Sequence, residues 1–184
     1  MSEGRMQVRF GGFGGQGIVL AGRLLGKAAS LYDGKEAVFT QAYGPEARGG
    51  ASRADVIIAD EPVDYPYVTQ PDVLAVLFQE AYIKFIGDLP PGALLIVEED
   101  MVTPAAGTSA LGLPAVRIAE KLGNRIVANV VVLGALVAQT GVVSPASVQA
   151  AIRDTLKPSS VDLNLEAFTA GFEFAPPAVA EAGA

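Results

Sequence analysis

Five glycines stand within seven residues in the run Gly11-Gly12-Phe13-Gly14-Gly15-Gln16-Gly17. Its part Gly12 to Gly17 fits the pattern G-x-G-x-x-G, and it falls between a stretch that reads as a strand and one that reads as a helix. In that context glycines permit a tight turn and let a ligand reach the backbone, while the helix N-terminus offers unpaired N–H groups and a partial positive charge to a phosphate. A turn without a ligand is the alternative, but it does not need so many glycines. The expected occupant is an anion or the backbone of a closely approaching partner, with Gly12, Gly14, Gly15, Gln16 and Gly17 as the binding residues.

A second run, Tyr43-Gly44-Pro45-Glu46-Ala47-Arg48-Gly49-Gly50-Ala51-Ser52-Arg53, leaves the same edge of the predicted sheet. If the first two strands are parallel neighbours, Arg48 comes near the first loop, and Arg48 and Arg53 can grip a phosphate or an acidic surface. Arg48, Gly49, Gly50 and Arg53 therefore join the candidate site. For Arg53, pairing with Glu46, Asp55 or solvent stands as the competing reading. Plain NAD binding is disfavoured. It needs an acidic residue at the C-terminal end of the second strand to hold the ribose hydroxyls. Here that end reads Gln41-Ala42-Tyr43-Gly44, and Glu36 lies at the opposite end of the strand.

Composition narrows the chemistry further. The 184 residues include no Cys and no His, which excludes thiolate-held iron–sulfur clusters, cysteine nucleophiles and histidine acid–base work within this chain. A net charge of -7 without a dense Lys/Arg cluster excludes a duplex nucleic-acid binder. With 51% apolar residues the chain can build a full core. Its most apolar stretch, Ile126 to Ala138, is too short to span a bilayer, which takes about 20 residues. The start MSEGRMQVRF has no apolar signal segment, so a cytoplasmic, membrane-free protein is expected.

These residues must be held by elements that the pattern also predicts. Met6 to Phe10 reads as a strand, Ile18 to Leu31 as a helix, Glu36 to Tyr43 and Ser52 to Ala59 as strands. The short apolar runs Val73 to Phe78 and Leu94 to Val97 suit strands covered on both faces, with a helix over Ala81 to Ile86 between them. Val127 to Thr140 reads as one buried helix carrying Asn129, a polar residue that needs a partner and is expected to bond a neighbouring loop. Ser144-Pro145 starts another helix, and Leu163 to Phe174 reads as the last. Glu98, Glu99 and Asp100 read as a solvated acidic turn. The fold class is α/β: three layers, a mostly parallel sheet with a Rossmann-like start, and a helical C-terminal part. The expected division is one α/β domain over residues 1–160 and a C-terminal helix with a loose tail over 161–184.

Three segments taken together, Gly11 to Ile18, Tyr43 to Gly50, and Ala128-Asn129-Val130 to Leu133-Gly134-Ala135, resemble the gamma subunit of 2-oxoacid:ferredoxin oxidoreductases. The resemblance runs in order over roughly residues 6 to 157 and points to the 2-oxoglutarate branch, with the pyruvate, ketoisovalerate and indolepyruvate branches as relatives. It implies an accessory subunit, active only within a complex of the EC 1.2.7 type. That complex converts a 2-oxoacid and coenzyme A to acyl-CoA and reduces ferredoxin. The resemblance also implies that this chain alone holds no cofactor. Thiamine diphosphate, magnesium and iron–sulfur clusters belong to companion alpha and beta subunits and a ferredoxin-like delta subunit. No catalytic and no metal-binding residue is assigned here. The glycine turn and the Arg48–Arg53 segment are the candidate contacts to coenzyme A or to a companion. A freestanding Rossmann-type oxidoreductase is the rival reading.

Overall fold

The computed structural model describes residues 4–42 and 51–175. Strand β1 (Arg5–Phe13) leads through the glycine turn into helix α1 (Ile18–Lys27), which ends in a π-helical turn, Ala28–Tyr32. Strands β2 (Glu36–Ala42) and β3 (Ala51–Ala59) follow. Strand β4 (Val73–Val76), helix α2 (Gln79–Phe85), strand β5 (Leu94–Glu98) and strand β6 (Leu111–Leu113) complete the α/β part. Helices α3 (Ala115–Lys121), α4 (Ala128–Thr140), α5 (Pro145–Thr155) and α6 (Pro158–Phe174) close the chain.

All six strands form one sheet in the order β2-β3-β1-β4-β5-β6. β1, β4, β5 and β6 are parallel neighbours, while β3 runs against both β1 and β2. Five strands thus share one direction and β3 alone is reversed, which agrees with a mostly parallel α/β sheet. The first two strands are parallel but not neighbours, the condition considered for bringing Arg48 near the first loop: β3 lies between them. The reason is local. Only eight residues separate the end of β2 at Ala42 from the start of β3 at Ala51, fewer than the dozen or so that a parallel crossover needs, so the two strands pair antiparallel.

That order preserves the geometry that mattered. Ala51, at the start of β3, faces Phe13 at the end of β1, and Ala42, at the end of β2, faces Arg53. The end of β2 and the start of β3 therefore both lie at the sheet edge that carries the glycine turn. Glu36 sits at the other end, level with Ala59 and, across it, Arg5. It cannot serve a ribose bound at the turn.

One face of the sheet packs Val8, Phe10, Ala54, Val56 and Ile58 against α1 and the C-terminal helices. α4 is buried from Ala128 through Ala138 and forms the spine of that layer. Helices α4 and α6 cross so closely that a Cβ on Gly134 would strike the Phe168 carbonyl, and one on Gly171 the Val131 carbonyl. The other face is covered by α2 and by Val102 from the segment after β5, over Leu74, Val76, Leu95 and Val97. Ser144 caps α5 as expected, accepting a hydrogen bond from the Ser147 amide at 3.1 Å, with Pro145 in the first turn. The last helix begins at Pro158, five residues before the apolar periodicity becomes readable. β6 escaped the sequence reading because three residues with a glycine in the middle carry no pattern.

Candidate functional site

β1 runs three residues further than its alternation suggests, so Gly11 and Gly12 are strand residues and the turn proper is Gly14 to Gly17. Packing explains why they are glycines. A Cβ on Gly11 would lie 2.9 Å from the Phe85 ring, and one on Gly12 2.8 Å from Gln16 Oε1 and 2.9 Å from Ile18.

Two polar side chains hold the turn from below. Gln16 accepts the Phe13 amide on Oε1 at 2.6 Å and donates from Nε2 to the Leu77 carbonyl at 3.0 Å. Asn129, buried on α4, donates from Nδ2 to the Gly17 carbonyl at 2.8 Å. This is the loop bond expected of it. Gly17 caps α1 with φ 72°, and a Cβ there would lie 2.6 Å from Asn129 Nδ2.

Above the turn the surface is bare. A Cβ on Gly14 or Gly15 would meet nothing within 4 Å. The Gly17 carbonyl accepts the Ala21 amide. Among the described residues no acceptor meets the amides of Ile18, Val19 and Leu20, the orphan donors of a helix start. Gly12 and Gln16 thus build the floor, Gly14 and Gly15 are the open part, and Gly17 joins turn to helix. Phe13, over a third exposed, flanks the turn with its ring 5.7 Å from that of Phe78.

Arg53 is half-buried on β3, directly across from Gly11. Its Nε lies 3.6 Å from Asp55, so the pairing weighed for it in the sequence is present. Arg48, Gly49 and Gly50 lie outside the described residues.

Behind Arg53 lies a charge cluster that no local pattern of residues marks. Arg9 and Asp55 are 1% and 2% exposed. Arg9 donates to both Asp55 oxygens, at 2.8 and 3.0 Å, and to Asp88 at 2.5 Å and the Val68 carbonyl at 2.6 Å. Burial disfavours its charge, but Asp55 and Asp88 more than restore it, and its pKa is raised.

The acidic turn is corrected in one member. Glu98 is fully buried, accepting the Val116 amide at 2.8 Å and the Asp100 amide at 3.2 Å. Burial pushes its carboxyl above the ordinary value, and these amides offset only part of the rise. Glu99 and Asp100 stay at the surface, where both pair with Arg117. Among the described residues no three His, Cys, Asp or Glu side chains cluster as a metal site, and no helix is long and apolar enough to cross a membrane.

An open glycine turn before the first helix of a largely parallel sheet, with one reversed strand, defines an α/β protein with a Rossmann-like start. Residues 7–174 match the family described as pyruvate ferredoxin/flavodoxin oxidoreductase, and the chain belongs to it. Within that family it is a gamma-type subunit of a 2-oxoacid:ferredoxin oxidoreductase, and the rival reading as a freestanding oxidoreductase is not favoured. It is 49% identical over 176 residues to the 2-oxoglutarate synthase subunit KorC of Methanocaldococcus jannaschii, covering 93% of this chain and 94% of that one. The keto/oxoacid ferredoxin oxidoreductase gamma subunit of Geobacter sulfurreducens superposes with a TM-score of 0.85 at 46% identity, over 94% and 97% of the two chains. The fold recurs, at 23% identity and a TM-score of 0.85, in the 2-oxoglutarate:ferredoxin oxidoreductase of Magnetococcus marinus, solved with 2-oxoglutarate, coenzyme A and succinyl-CoA. That likeness covers 95% of this chain but only 31% of the larger one.

Proposed function

We propose that this chain is the gamma subunit of a 2-oxoglutarate:ferredoxin oxidoreductase, working in the cytoplasm with alpha, beta and ferredoxin-like delta companions. The assembled complex cleaves the bond between the carboxylate and the keto carbon and releases carbon dioxide. It passes the acyl group to the thiol of coenzyme A and delivers two electrons to ferredoxin through iron–sulfur clusters. The observation that carries the reading is the end-to-end 49% identity with the KorC subunit. The residue inventory agrees with an accessory role, since a chain without Cys offers no thiolate to a cluster. Thiamine diphosphate, magnesium and the clusters are assigned to the companions.

In this reading the gamma subunit secures assembly and helps hold coenzyme A. The open amides at Gly14 and Gly15 and the start of α1 suit a phosphate, and the residue types of Arg48, Gly49, Gly50 and Arg53 suit one too. Gly12, Gln16 and Gly17 keep that turn in shape.

Reconstitution tests the proposal. The purified chain alone should be colourless and inactive with 2-oxoacids. Adding the companion subunits should restore ferredoxin reduction that depends on coenzyme A, with 2-oxoglutarate preferred over pyruvate. Turnover by the lone chain would rule out the accessory role, and a preference for pyruvate would reassign the branch.

A further inference from the structure

The charge cluster under β3 has a geometry that the glycine turn does not explain. Asp55 accepts from Arg9 on both oxygens, and its Oδ2 also lies 3.6 Å from Arg53 Nε. Arg9 is fully engaged, with Asp88, the Val68 carbonyl and the Phe85 ring, 5.4 Å from its guanidinium, on its remaining sides. Arg53 is not. Among the described residues its Nη groups meet no acceptor, so one edge of the guanidinium is anchored and the other is free.

Among the described residues, strand register sets no long side chain directly beside that edge. Arg53 lies between Gly11 on β1 and Ala42 on β2, and residues directly opposite share a face of the sheet. Neither has a side chain that reaches over a guanidinium. Phe13, two residues beyond Gly11 on the same face, sets its ring against Phe78 beside the opening. A planar cation with free donors on the same sheet face as the partly exposed Phe13 ring suits a ligand that joins a phosphate to a flat heterocycle.

We infer that Asp55 is a positioning residue: with its charge balanced by Arg9, it holds Arg53 against the sheet so that the free Nη groups receive the 3′-phosphate of coenzyme A. This rests on the reading that the gamma subunit helps bind coenzyme A. The 3′-phosphate is favoured over the diphosphate because it is a monoester of higher charge and adjoins the adenosine. Asp55 touches no ligand and acts only through Arg53.

The test compares coenzyme A with 3′-dephospho-coenzyme A as acyl acceptors for the reconstituted complex carrying Arg53→Ala, Arg53→Lys, Asp55→Asn or Asp55→Glu. Arg53→Ala should raise the KM for coenzyme A on the order of 10-fold, as expected for a lost charge-assisted bond, with kcat kept and the KM for the dephospho form unchanged. Arg53→Lys should recover part of the loss. Asp55→Asn should raise the same KM selectively by a smaller factor, with the unfolding temperature reporting its fold. Asp55→Glu keeps the charge but displaces it, and serves if the Asn variant does not assemble. A coenzyme A KM that moves for Arg53→Ala but not for the Asp55 variants overturns the positioning role and leaves the coenzyme A reading standing. A KM that moves for none of them removes coenzyme A from this face. Equal rises for both acceptors in the Asp55 variants also overturn the inference, because they mark general distortion.

Discussion

Asn129 and Gly17, 112 residues apart in sequence, are joined by one hydrogen bond of 2.8 Å that fixes the glycine turn to the buried helix α4. The Asn129 amide occupies the space a side chain at position 17 would need. The turn is therefore set by the core, while its outer face at Gly14 and Gly15 is left to whatever binds there.

Replacing Gly17 by Ala should destabilise the fold on two counts. The residue must keep φ 72°, and its Cβ would lie 2.6 Å from Asn129 Nδ2. The backbone penalty alone is about 1 kcal/mol, and displacement of Asn129 adds the loss of a buried bond of about 1–3 kcal/mol. Chemical denaturation of the double variant Gly17→Ala/Asn129→Ala checks the coupling: its loss should be clearly smaller than the sum of the two single losses.

Gly134→Ala and Gly171→Ala should each be among the most damaging single substitutions in the chain. The added methyl meets main-chain carbonyls of the facing helix, which can yield only if α4 and α6 separate. A cost of about 3 kcal/mol or more is expected, visible as poor recovery of folded protein or a large drop in Tm. Gly87→Ala, where a Cβ meets nothing within 4 Å, serves as the control and should leave Tm nearly unchanged.

The turn's binding role is best probed at Gly14. Gly15 has φ 96°, so Gly15→Val would mix backbone strain with any effect on a ligand. Gly14 has no such constraint, and a side chain there enters open space. Gly14→Val should leave the unfolding curve of the isolated chain nearly unchanged while lowering either complex assembly or the apparent affinity for coenzyme A at least several-fold. Unaltered assembly and kinetics would leave the outer face of the turn without a function.

Acid sensitivity should divide between two carboxylates of opposite sign. Asp33 receives hydrogen bonds from Ser147 and Ser144 at the start of α5. Burial works to raise its pKa, but those bonds outweigh it and the value is lowered below the ordinary 3.8. Its stabilisation is therefore present above that ordinary value and is lost as pH falls through the lowered one. Glu98 is shifted upward from 4.5, so its carboxyl favours the folded chain at low pH, and stability is lost as pH rises through the raised value. Denaturation followed from pH 3 to pH 8 should show Asp33→Asn flattening the acid limb and Glu98→Gln flattening the loss on the neutral side.

Local pattern was enough for much of this molecule. The apolar period and the Ser144-Pro145 start mark the later helices, the glycine run marks the strand–turn–helix opening, and the absence of Cys and His restricts the chemistry. These features are legible because each depends on residues close together in the chain. Tertiary structure decided the rest. It placed β3 between β1 and β2, and it put Arg9 and Asp55 in the interior, where charges survive only by pairing with each other. It also brought Asn129 to Gly17 and Asp55 to Arg53. A residue's partner across a sheet or between helices is set by how the elements pack, and sequence separation carries no information about that.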